Sequence, residues 1–108
     1  MSYQLGPVMM DALVLAILYD EDTYGYLISQ RIKQIVTLKD STLYPVLKRL
    51  QEAGFLETYD QPFQGRNRKY YHITQIGMDK YHKSVAEWND YKKNVERILL
   101  RKESQKDG

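Results

Sequence analysis

Between residues 41 and 73 the chain sets an amphipathic helical segment directly before a basic, hairpin-like one, and that adjacency constrains the fold more than any other feature. Leu43, Val46, Leu47 and Leu50 recur at three- and four-residue spacing, which predicts a helix with one apolar stripe that stops at Gly54. Ser41, Thr42, Tyr44, Lys48 and Arg49 fall outside the stripe, where they can meet phosphates or base edges. Beyond Gly54, residues 55–59 and 68–73 read as two strands joined across a flexible tip at 60–65. Arg66, Arg68 and Lys69 place three cations within four positions of that hairpin, with no acid from 64 to 72. A solvated basic loop beside an ordinary helix explains each half but not their adjacency. The pairing points to a grip on double-stranded DNA.

Upstream, Leu5, Val8, Met9, Ala12, Leu13, Ala16 and Ile17 predict a first helix with a continuous apolar face and Pro7 in its first turn. Asp20-Glu21-Asp22-Thr23 offers an N-cap for a second helix carrying Tyr24, Leu27, Ile28, Ile32 and Ile35 and reaching about Gln34. Val36-Thr37-Leu38 suits a brief extended segment that could pair with a hairpin strand. Asp40 or Ser41 caps the third helix, and Pro45 should disturb its first turn. On the second hairpin strand Tyr71 and Ile73 are assigned to the core, because successive strand positions face oppositely.

Thr74 restarts a helix, and Met78, Tyr81, Val85, Trp88, Lys92, Val95 and Leu99 then alternate at three and four like a heptad seam. A long helix with an exposed stripe packs most economically against its copy in a second subunit, and the alternative folds it back onto its own domain. The expected fold class is therefore mainly α with a small β-hairpin (α+β), a winged helix-turn-helix with a long C-terminal dimerisation helix. Residues 1–74 would form the DNA-binding domain, 75–103 the dimerisation helix and 104–108 a flexible tail.

Composition narrows the function. The net charge of +2 over 108 residues is too small to argue nucleic-acid binding by itself, so the position of the cations carries the reading. The sequence contains no cysteine, which excludes disulfides and thiolate metal sites and suits a reducing cytoplasm. The apolar run at 5–18 is interrupted by Asp11 and is shorter than the roughly 20 residues that span a bilayer, so no membrane anchor is expected. His72 and His82 have no ligand partner at i+4, and the glycines are isolated, so no metal, no cofactor and no catalysis are expected.

Within the interface, Arg66, Arg68 and Lys69 are assigned to phosphates, and Ser41, Thr42, Tyr44 and Lys48 to base edges. Alternatives stay open for individual residues. Tyr44 could cover the core edge, Thr42 could serve a helix cap, and Arg49 either meets DNA or pairs with Glu52 or Glu57.

Tyr24-Gly25-Tyr26, then Thr42-Leu43-Tyr44-Pro45-Val46-Leu47-Lys48-Arg49-Leu50 with Ala53-Gly54, and Gly65-Arg66-Asn67-Arg68-Lys69-Tyr70-Tyr71 with Thr74 and Gly77 resemble the PadR family of bacterial transcriptional regulators. The resemblance covers nearly the whole chain. It implies a dimeric winged-helix repressor whose final helix carries the subunit contact, in the shorter of the family's two size classes. It also implies a place for a planar aromatic effector, since Trp88 stands where multidrug-sensing members stack a tryptophan on flat, often cationic compounds. Ordinary interface packing is the competing role for Trp88. Lys92, a turn further on, departs from the pattern, because a cation there opposes a cationic ligand. Two functions follow from these readings. One is a homodimeric repressor on a pseudo-palindromic operator; the other is a dimer that binds a small molecule or protein partner and uses the winged body as a scaffold.

Overall fold

The computed structural model describes residues 6–101. In chain order they form α1 (Pro7–Asp20), β1 (Thr23–Tyr24), α2 (Gly25–Lys33), α3 (Asp40–Glu52), β2 (Leu56–Phe63), β3 (Arg66–Ile73) and α4 (Gln75–Leu99). The strands make one antiparallel sheet in the order β1-β3-β2. This is the expected α+β winged helix-turn-helix, with three helices packed on a small sheet and a long fourth helix leaving its end. The N-terminal Leu5 of the first expected helix and the expected tail at 104–108 lie outside the described residues.

The stripe that predicts α3 is also what packs it. Leu43, Val46, Leu47 and Leu50 are all buried, against Met10, Val14, Leu15 and Leu18 of α1, Ile28 and Ile32 of α2, and Leu56, Tyr71 and Ile73 of the sheet. Pro45 sits inside α3 without breaking it. The donor it lacks would have met the carbonyl of exposed Ser41, while each buried Leu or Val of the stripe contributes about 1.5–3 kcal/mol, so burial wins. The helix ends at Ala53 and Gly54, the latter at φ 86°. There the Gly54 amide bonds the Gln51 carbonyl and the Phe55 amide bonds the Leu50 carbonyl, the paired closure that a left-handed glycine permits.

Four local expectations are corrected. In α1 the residues that reach the core are Met10, Val14, Leu15 and Leu18, with Leu13 and Ile17 partly buried, whereas Val8 is 71% exposed. The helix is apolar almost all round, so spacing alone could not select the inward face. In α2 only Ile28 and Ile32 of the expected stripe are buried, while Leu27 and Ile35 are exposed. Thr23 does not cap α2 but enters β1, opposite Tyr71. The third strand is therefore Thr23–Tyr24, and Val36-Thr37-Leu38 remains a loop whose Val36 and Leu38 side chains rest on the core.

The hairpin is longer and tighter than expected. Eight residue pairs run from Leu56 with Ile73 to Phe63 with Arg66, and only Gln64-Gly65 turn, at φ 51° and 80°. Two successive left-handed residues match the right-handed twist of the strands, so the ladder continues to the tip. Pro62 is accommodated because β2 is an edge strand. Pairing next to a two-residue turn is hydrogen-bonded, which makes Pro62 with Asn67 the following, non-bonded pair and turns the missing donor outward.

Candidate nucleic-acid interface

Ser41, Thr42, Tyr44 and Lys48 all lie on the exposed side of α3, opposite the buried stripe. Arg49 is also on the surface, but Asp11 of α1 grips both ends of its guanidinium, Nη1 to Oδ2 at 3.0 Å and Nη2 to Oδ1 at 2.6 Å. That hydrogen bonding raises the Arg49 pKa against the opposing effect of burial. Its partner is thus neither Glu52 nor Glu57, and the pair ties α3 to α1. At the other end of α3, Asp40 bonds Ser29 and Lys33 of α2, at 3.4 and 3.5 Å. The N-cap of α3 is Lys39, with no side-chain cap bond, and not the expected Asp40 or Ser41, which lie inside the first turn with Thr42.

Tyr44 is 48% exposed, yet its ring edge rests on the backbone of Gly25 at the start of α2. A Cβ at position 25 would stand 2.8 Å from Tyr44 Cε1 and 3.0 Å from its hydroxyl. Gly25→Ala is therefore expected to push the Tyr44 ring outward, because a side chain yields where backbone cannot. Stability should change by no more than about 1 kcal/mol, as helix propensity favours alanine and crowding opposes it. Thermal melting checks the first part, and a changed base preference in DNA titrations checks the second; an unaltered preference would dissociate Tyr44's pose from recognition.

Strand alternation divides the wing's cations between two faces. Tyr71 and Ile73 enter the core as expected, and Lys69 shares their side, its Nζ 5.9 Å from the Tyr71 ring centroid. Burial, and then neighbouring Tyr44, push the Tyr71 hydroxyl pKa up. Arg66 and Arg68 share the opposite face with Tyr70 and His72. Arg66 is exposed beside the turn. Arg68 is not: its guanidinium carbon lies 4.1 Å from the Tyr24 ring centroid and 4.0 Å from that of Phe63. Tyr70 continues this aromatic face, edge-on to Tyr24 at 5.5 Å and stacked on Tyr59 at 5.7 Å. Asp22 closes it, accepting the Tyr59 hydroxyl at 2.8 Å and meeting His72 Nδ1 at 2.9 Å. The bond to Asp22 is the main cause of a raised Tyr59 pKa. Sequence reasoning missed Asp22, Tyr59 and Phe63 here; reading β2 through to its turn would have exposed the Tyr59 and Phe63 register.

The final helix divides at Ser84. Met78 and Tyr81, counted to the intersubunit seam on spacing, pack against the chain's own core, and Tyr81 stacks on Tyr19 at 4.5 Å. Beyond them Val85, Trp88, Val95 and Leu99 are 39%, 42%, 37% and 72% exposed. Trp88 and Tyr91 of α4 face Val8, Met9 and Ala12 of α1 across a groove of about 500 Å³. The apolar face expected to bury α1 is thus one wall of this groove. Glu87 also lines it, whereas Lys92 does not. Among the described residues no cluster of three or more acids and histidines could hold a metal ion, and no helix is long and apolar enough to cross a membrane.

Residues 14–83 match the transcriptional regulator PadR-like family. A crystal structure of a Streptococcus mutans UA159 protein is similar at a TM-score of 0.88 and 46% identity, covering 93% of this chain and 94% of that one. A PadR family transcription regulator from Clostridium difficile is similar at 0.78 and 32% identity, over 83% of this chain and 97% of that one. An uncharacterized protein of Lysinibacillus sphaericus is 34% identical over 95 residues, 83% of this chain and 87% of its own length.

Proposed function

Since the chain belongs to the PadR-like family of transcriptional regulators, proteins that regulate transcription and are not enzymes, we propose that it is a repressor that binds a pseudo-palindromic operator as a homodimer. The observation that carries this reading is the bare polar face of α3. Ser41, Thr42, Tyr44 and Lys48 are exposed, and Ser41, Thr42 and Lys48 make no side-chain hydrogen bond or ion pair with any described residue, while the opposite stripe is sealed in the core. Such a face is available to base edges in the major groove. Exposed Arg66 and Lys69, with half-buried Arg68, would add phosphate contacts from the wing. In this scheme residues up to 74 form the DNA-binding body and α4 joins two copies through Val85, Trp88, Val95 and Leu99, setting the two α3 helices one DNA turn apart. Its place of action is the cytoplasm.

A flat aromatic effector would lie against Trp88 in the groove between α1 and α4. Glu87 supplies the negative charge that Lys92 does not, which suits a cationic ligand. A shift of α1 on ligand entry would reach α3, because Ala12 lines the groove and the adjacent Asp11 holds Arg49 of α3. Trp88, the single tryptophan of the chain, makes ligand entry measurable by its own fluorescence.

The experiment is a titration on duplex DNA from the region upstream of its own gene, against scrambled duplex, at several salt concentrations. Arg66→Ala is expected to weaken both equally and to lower the salt slope by about one. Ser41→Ala should narrow the gap between the two duplexes by about 1–3 kcal/mol. Equal affinity of the unmodified protein for every sequence would remove the basis of the repressor reading.

A further inference from the structure

Arg68 occupies a particular place in the sheet. It belongs to the central strand, and its diagonal neighbours on the flanking strands are both aromatic, because Phe63 pairs with Arg66 and Tyr24 pairs with Tyr70. The guanidinium settles in the cleft they form, about equally close to each ring, and the rings themselves are 6.3 Å apart at a 40° tilt. With the centroids 6.3 Å apart and each about 4 Å from the guanidinium carbon, the rings meet at an angle and flank it on adjacent sides, which leaves the N–H donors directed away from them open to a ligand. No described carboxylate takes them up, in contrast to Arg49, whose donors are closed off by Asp11. The result is a planar fork of donors already immobilised before any ligand arrives. Ordering a free arginine side chain at an interface costs conformational entropy, which this arrangement avoids at the moment of binding.

We infer that Tyr24 and Phe63 are positioning residues for DNA binding, holding the Arg68 guanidinium so that its N–H edge meets a backbone phosphate. The inference rests on the DNA-binding reading above and adds residues that themselves need not touch DNA. Tyr24 also precedes Gly25, on which the Tyr44 ring lies, so one dipeptide at the start of α2 supports a side chain of the wing and a side chain of α3. Arg66, with no such cradle, acts as a mobile charge, and loss of a ring near it should leave its contribution unchanged.

The test is a double-mutant cycle on a mixed-sequence duplex of about three helical turns, read by fluorescence anisotropy across salt concentrations. Phe63→Leu and Tyr24→Leu are each expected to weaken binding about three- to tenfold with the salt slope unchanged, since no charge is lost. Arg68→Ala lowers the slope by about one, and in that background Phe63→Leu should have no further effect. Phe63→Tyr and Tyr24→Phe keep the rings and should retain affinity. Circular dichroism melts of each variant separate loss of fold from loss of pose, and the ring-conserving pair stands in for any leucine variant that fails to fold. Binding that falls by the same factor with and without the Arg68 guanidinium overturns the inference while leaving the DNA-binding reading intact. An unmodified protein with no affinity for duplex DNA at low salt overturns both.

Discussion

Gly77→Ala is expected to lower the free energy of unfolding by about 3 kcal/mol, seen as an earlier urea midpoint at an unchanged slope. The added methyl would overlap the Phe55 carbonyl oxygen and stand 2.7 Å from Ile73 Cγ1. Neither can retreat easily. The Phe55 carbonyl accepts the Thr74 amide at 3.0 Å, and the Phe55 amide closes α3 on the Leu50 carbonyl. Thr74 locks the same joint from the other side, since its hydroxyl donates to the Gly54 carbonyl at 2.7 Å and accepts the Gly77 amide at 3.1 Å. Ile73 is itself a core residue at 2% exposure. Moving α4 away from Phe55 would therefore break the helix cap or open the core, and both outcomes destabilise the fold. A substituted protein that unfolds at the original midpoint would mean that α4 can slide along the sheet without loss, contrary to this packing.

In the proposed homodimer, Val95→Glu should leave a monomer and reduce operator affinity by about a hundredfold or more, because two half-site contacts would no longer be linked. Val95 falls on the heptad spacing and belongs to the part of α4 whose apolar side chains are only partly covered by their own chain, with Val95 37% exposed. Glutamate is a good helix former and would be solvated in the isolated chain, so the helix itself should persist. In a two-fold dimer, however, each copy brings one carboxylate into an apolar contact, and burying that charge is far costlier than leaving the chains apart. Light scattering at two protein concentrations measures the assembly, and circular dichroism verifies the helix. A dimer of undiminished stability would place the subunit contact elsewhere on the molecule.

The contrast between these two sites shows what kind of information was readable in the chain. Gly77 was noticeable as part of a motif, but nothing nearby in sequence indicates that the Phe55 carbonyl lies against it. The place of Val95 on an apolar stripe was readable from spacing alone, because a helix repeats its own geometry and needs no partner to define its faces. The same rule overreached at Met78 and Tyr81. They satisfy the heptad as well as Val95 does, yet they are partly buried against the chain's own core. Periodicity reports that a face is apolar and is silent on which body covers it.

The wing gives a second example. Arg66, Arg68 and Lys69 looked like one cluster because they are adjacent in sequence, and strand alternation then sends Lys69 to the opposite face from the two arginines. The expected six-residue tip hid a regular ladder, since glutamine, proline and aspartate are poor strand formers and only the pairing with β3 makes them extended. With the ladder misread, Phe63 had no partner, and its place beside Arg68 could not be deduced.

By itself, the sequence determined the succession of four helices with a hairpin before the last, the buried stripe and glycine closure of α3, the helix start at Thr74 and the inward turn of Tyr71 and Ile73. Those follow from interactions within a few residues, where side-chain period and capping chemistry act directly. Tertiary structure alone decided which face of the all-apolar α1 turns inward, that Thr23–Tyr24 rather than residues 36–38 completes the sheet, that Asp11 holds Arg49, and that two rings cradle Arg68. Each of these depends on groups tens of residues apart meeting at contact distance, and such a meeting is selected by the packing of the whole core rather than by any local preference.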